Sequence, residues 1–141
     1  MSQAMCTSFK TELFSATHNF NASGGHTFKM ALFTASATLD ATTTAYSATN
    51  EVSSVNYTAG GFTLTNVNPS SSGTTAMCTF SANPSWGSVT FSASQALIYN
   101  SSVGNKAVCV IDFGGTQTVT AGTFTVNLPA VTAATALLRL V

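Results

Sequence analysis

Apolar and polar positions alternate along most of the chain in short runs, punctuated by Gly, Asn, Pro and Ser clusters at intervals of roughly ten residues. A period of two puts successive side chains on opposite faces, so such runs predict half-buried strands. Phe28 to Phe33 opens the series, and Phe62 to Thr65 follows the turn signal Gly60-Gly61. Thr75 to Phe80 leads into the turn Asn83-Pro84-Ser85. Val89 to Ala93 alternates cleanly, which predicts Val89, Phe91 and Ala93 inward and the hydroxyls outward. Ala96 to Tyr99, the turn Asn100 to Asn105 and the run Ala107 to Phe113 come next. The last of these is apolar on both faces, so its outer face needs a loop, the N-terminal segment or a partner over it. Phe124, Val126 and Leu128 predict a further strand, with Gly122 shifting the phase as a bulge would.

Two segments depart from this pattern. Between Ser8 and Phe20, Phe9, Leu13 and Phe14 fall at helical spacing with neither Gly nor Pro, which fits a short helix or a clamped arm. Leu39 to Tyr57 is Thr- and Ala-rich and reads as a long extended connection between sheets. Thr132 to Val141 is open to two readings. Its Ala and Leu suit a helix, whereas Leu138 and Leu140 alternate about Arg139 as in an edge strand. The fold expected is all-β, a jelly-roll or Greek-key sandwich of about eight strands. Residues 1–24 form its N-terminal arm or short helix and residues 25–141 a single β-sandwich domain.

Composition sharpens this picture. The chain has 141 residues, of which 45% are apolar but only 6% charged, against about 25% in ordinary soluble domains. A chain of this size should leave roughly 6,800 Å² exposed and bury a self-sufficient core. Hydroxyls and small side chains leave water at far lower cost than ions do. A formal net charge of zero also favours association. A charge-poor coat therefore points to a life against other protein surfaces, and a Thr/Ser-coated secreted domain is the alternative. Lys10, Lys29, Lys106 and Arg139 are scattered, so no basic stripe offers itself to nucleic acid. No apolar run approaches the ~20 residues that span a bilayer. The opening residues lack the basic and apolar regions of a secretion signal, which makes cytoplasmic synthesis the expectation.

Candidate chemistry is thin. Cys6, Cys78 and Cys109 are odd in number and widely spaced, which fits small buried hydrophobes better than disulfides or a zinc site. The acids are Glu12, Asp40, Glu51 and Asp112. Asp112 is either a buried, perturbed carboxylate or a strand-end acceptor of backbone N–H groups. His18 and His26 either converge on a metal or make separate local hydrogen bonds. Trp86 either stacks on a sugar at a loop rim or caps the core. Neither a Gly-x-Ser-x-Gly elbow nor a phosphate-binding Gly-rich loop is present. The chain is expected to be no enzyme and to need no metal or cofactor.

The strings FKMALFTASATLD from Phe28, TAY from Thr44, TNEV from Thr49 and YTAGG from Tyr57 resemble a family of small tailed-bacteriophage proteins. ALIYN from Ala96 and VIDFG from Val110 fit the same pattern. Some proteins of this type are similar to capsid cement, or decoration, proteins. The resemblance implies a jelly roll that pairs as a homodimer on the capsid exterior and bridges neighbouring major capsid subunits. It implies a virion location, with the major capsid protein and a second copy as partners and neither nucleic acid nor membrane. The subunit-contact candidates are Phe9, Leu13 and Phe14 near one terminus and Leu138, Leu140 and Val141 near the other. The bland alternative is that both groups cap the domain's own core. A tail- or fibre-associated adhesion module that presents Ser70 to Thr75 to a host glycan is one rival reading. A small hydrolase centred on Asp112 and a histidine is another.

Overall fold

Strand alternation dominates the observed architecture as well. The computed structural model describes residues 2–141. Its elements run β1 (Ser2–Met5), α1 (Thr7–Phe14), β2 (Phe28–Phe33), β3 (Phe62–Thr63), β4 (Ser70–Ser72), β5 (Thr75–Cys78), β6 (Ser85–Asn100), β7 (Lys106–Thr125) and β8 (Leu138–Leu140). Five strands pair in the order β1-β7-β6-β2-β3 and three in the order β4-β5-β8, antiparallel throughout. The chain is mostly β with one short helix. Its accessible surface is 6858 Å², which matches the expectation from chain length.

The hairpin of β6 and β7 is the spine. Val89, Phe91 and Ala93 point inward as their alternation predicts. From Ala96 to Tyr99 and from Ala107 to Ile111 every side chain is buried, because further residues cover both faces there. On β7 the second cover includes α1 and the adjoining Cys6, whose N–H bonds Val108 O at 2.9 Å. Near its open end the hairpin carries its hydroxyls outward. Ser85, Ser92 and Ser94 each bond a threonine across the strands, at 3.0, 2.9 and 2.9 Å.

Two sequence expectations need correcting. Val89–Ala93 and Ala96–Tyr99 are one strand, and so are Ala107–Phe113 and the start of the Phe124–Leu128 run. The apparent interruptions are register shifts within a continuous ladder. One lies opposite Gly122, and Ser88 and Ala121 adopt positive φ beside it. The strand ends at Thr125, where Val126 N–H turns back to Pro84 O at 2.9 Å.

Tertiary packing sets the local structure elsewhere. α1 has no side-chain N-cap, and its inward residues are Phe9, which is buried, and Leu13, which is partly so. Phe20 stacks on Phe28 at 4.3 Å between centroids, and Phe9 meets Phe20 edge-on at 5.9 Å. A second aromatic group joins Tyr57, Trp86, Phe91 and Phe124. The long connection before β3 is tied down by Glu51. Its carboxylate accepts Tyr46 O–H at 2.6 Å, Tyr57 O–H at 2.7 Å and Gly60 N–H at 2.9 Å. The Gly60-Gly61 turn then passes so close to β2 that a Cβ on Gly61 would lie 1.9 Å from Met30 O.

Candidate functional site

The two ends of the chain meet on one side of the molecule and enclose an apolar groove. Its walls are Met5, Phe9, Leu13 and Phe20 from the N-terminal part, Pro69, Ala76, Met77 and Cys78 around β5, and Leu138, Arg139 and Leu140 of β8. The volume is about 150 Å³. An engineered apolar cavity of about that size stays dry and takes up benzene, so one aromatic or branched side chain would fill this groove. Pairing places β8: Cys78 opposes Leu138 and Ala76 opposes Leu140. Arg139 is held at the rim by a 3.1 Å bond from Nη1 to Ala133 O. Burial pushes the Cys78 thiol up to about 12, so the groove carries no thiolate at neutral pH.

Four of the six contact candidates line this groove: Phe9, Leu13, Leu138 and Leu140. Phe9 is only 2% exposed and anchors α1 to the core, whereas Leu140 is 51% exposed at the opening. Phe14 and Val141 stand in solvent at 96% and 95% exposure and reach no wall of the groove. The C-terminal segment takes the edge-strand form of its two readings. Sequence reasoning missed Met5 and Met77. Met77 sits in a strand-like run, where methionine reads as ordinary core, and Met5 falls in the expected N-terminal arm.

A second feature is the outer edge of β7. β1 pairs with it only from Cys109 to Asp112. Beyond that, the edge from Gly114 to Thr125 has no backbone hydrogen bond to any described residue outside β6. It carries no charge and no proline, the usual means of blunting an exposed edge.

The carboxylates and histidines are not among the groove's lining residues. Asp112 is exposed and accepts Gly114 N–H at 2.8 Å, the strand-end role. Asp40 accepts Thr42 N–H at 2.7 Å within its own turn, and these Thr42 bonds hold its carboxyl below the usual range. Trp86 is buried against Tyr57 and caps the core. Among the described residues no group of three or more His, Cys, Asp or Glu is placed to hold a metal ion. No helix among them is long and apolar enough to cross a membrane.

Each histidine makes a local bond, His18 to Glu12 and His26 from the Asn19 N–H, and the two also converge. Both reach Asn100, each with Nδ1 at 3.0 Å from Asn100 Nδ2. His18 Nε2 lies 3.2 Å from Glu12 Oε1, and Lys106 Nζ lies 2.8 Å from Glu12 Oε2. Burial drives His18 below the usual histidine range, against the pull of Glu12. Burial alone would raise Glu12, but its bonds to Lys106 and His18 outweigh that and hold it low.

No known protein family, curated protein or solved structure matches the chain. Its functional reading therefore rests on its own residues and on the resemblance.

Proposed function

We propose that this protein is a structural cement protein of a tailed-phage head. It binds the outer surface of the assembled shell across joints between major capsid subunits and performs no catalysis. The observation that carries this reading is the apolar groove assembled from both termini. It is a ready socket for one hydrophobic side chain of a neighbouring polypeptide, with the exposed Phe14 and Val141 free to add contact area. The charge-poor coat supports it by lowering the cost of desolvation at every contact. A ligand that binds only the assembled state stabilises that state by mass action, and repetition over a symmetric shell multiplies a weak contact.

Self-pairing as a dimer belongs to the same proposal. The charge-free edge of β7 is the surface for it, since a two-fold contact joins one patch to its own copy and a charge near the axis would meet its like. The finer jelly-roll or Greek-key arrangement is likewise proposed, within the two antiparallel sheets described above.

The test is co-sedimentation of the purified chain with assembled heads and, separately, with free capsid subunits. Binding to heads alone is expected, with affinity reduced at least about tenfold in Leu140→Ser, whose side chain lies half in solvent and adds little to folding. A chain that stays in the supernatant with heads, or that localises to the tail tip in particle images, overturns the proposal.

A further inference from the structure

The groove's helical wall is fastened to the sheet by an arrangement that tolerates only neutral histidines. Asn100 is fully buried at the end of β6, and its Oδ1 accepts Ser102 N–H at 3.0 Å. That bond fixes which end of the amide faces the imidazoles, namely the NH₂ end. An amide nitrogen donates and never accepts, so both facing Nδ1 atoms must present lone pairs. His26 Nδ1 receives a second donor, Asn19 N–H, at 3.2 Å. His18 therefore carries its proton on Nε2 and gives it to Glu12 on α1. The chain of contacts runs from Lys106 on β7 through Glu12, His18 and Asn100 to His26. It joins α1, the segment after it and the β6–β7 turn.

We infer that Asn100 and its two histidines form an acid-sensitive latch, and that a proton at Nδ1 of His18 releases α1 and residues 15–27 from the sheet. A proton there would set N–H against N–H with no acceptor between them, and a buried unpaired donor is costly. Turning the amide over only transfers the conflict to Ser102 N–H. The His18 side chain is fully buried against Phe9, Phe20 and Phe28, so water cannot relieve it in place. The groups facing the rings are Glu12 from α1, Lys106 from β7, Asn100 from β6, the Asn19 N–H and the other histidine. Of these only Glu12 favours the imidazolium, and Lys106 already occupies its second oxygen.

The sign follows from linkage. A histidine held below its unfolded value keeps its full contribution above about 6.5, the value of free imidazole, and loses it as pH falls from there towards the folded value. The released parts include Phe9, Leu13 and Phe20, so acid would dismantle the groove while leaving the β6–β7 hairpin paired. Only the meaning of that loss, detachment from a shell, rests on the cement reading.

Hydrogen exchange on the full chain alone tests the latch, without any shell. After correction for intrinsic rates, the amides of Thr7 (bonded to Ala41 O) and His26 (bonded to Asn19 O) report the two released parts. Their protection is expected to fall, by up to about tenfold, between pH 7.5 and 5.5, one unit below free histidine, while amides of β6 and β7 hold. Asn100→Asp replaces the shared donor with an acceptor and should invert the trend, with protection rising as pH falls. If that variant does not fold, His18→Phe with His26→Leu removes both rings and should leave the profile flat. A flat wild-type profile overturns the latch, and so does a slope that survives in the double variant. Head binding at pH 7.5 is read separately, so the latch and the cement reading stand or fall on different measurements.

Discussion

Replacing Tyr57 by Phe removes one oxygen that serves two partners. Its O–H donates to Glu51 Oε1 at 2.7 Å, and the same oxygen accepts Leu32 N–H at 3.0 Å. Leu32 is fully buried in β2, so no water reaches the amide left behind. A hydrogen bond to a charged group contributes about 1.5–3 kcal/mol, and an orphaned buried donor costs about 1–3 kcal/mol. The two overlap, so about 3 kcal/mol is expected. At about 2.1 cal/mol/K of unfolding entropy per residue, that lowers Tm by roughly 10 °C. Tyr46→Phe is the internal control. It loses a bond to the same carboxylate at 2.6 Å but from a partly exposed site and orphans no amide, so about 1 kcal/mol is expected. Urea titration followed by far-ultraviolet circular dichroism avoids the fluorescence of Trp86, which stacks on Tyr57. Equal losses in the two variants would refute the reasoning, because the Leu32 amide would then contribute nothing.

Three further outcomes follow from the packing. Gly61→Ala should cost at least about 3 kcal/mol, because its Cβ would strike Met30 O at 1.9 Å and its φ is +89°; Gly73→Ala, with nothing within 4 Å, should cost about 1 kcal/mol. Thermal melts of the pair check this. Leu138→Ala should cost about 2–4 kcal/mol and Leu140→Ala no more than about 1 kcal/mol, since only the first is buried, and denaturant midpoints read the difference. Glu12 is held below its ordinary carboxylate value, so its stabilisation is present above about 4.5 and is lost as pH falls through the folded value. Lys106→Met should flatten that acid limb by about 0.5 kcal/mol, a small amount because Lys106 is partly in water, and less still in high salt.

The parts of the fold legible in the sequence are those governed by neighbours along the chain. Val89, Phe91 and Ala93 announce their inward face, and the apolar run at Ala107 to Ile111 announces its double cover. Phe9, Leu13, Leu138 and Leu140 stand out by their apolar character near the two ends, but that they share one groove comes only from the structure. Phe14 stands apart from the groove because apolar character does not say which way a side chain points. Strand partners were illegible for another reason. Met5 meets Cys109 and Cys78 meets Leu138 across long stretches of chain, and no local pattern encodes that choice. Asn100 and Glu51 were invisible as hubs, since an asparagine or a glutamate in a Ser/Thr-rich chain looks the same whether it has one partner or three.

The groove's walls come from the first twenty residues, from Pro69 to Cys78 and from Leu138 to Leu140, so its construction is the least local event in folding. The β6–β7 hairpin closes over a five-residue turn and can form early, whereas β8 docks on β5 only across the long stretch of chain from Cys78 to Leu138. A nascent or half-folded molecule thus has no socket to offer. Under the proposed cement role, only finished copies would compete for a place in a shell, a built-in check on the quality of its parts.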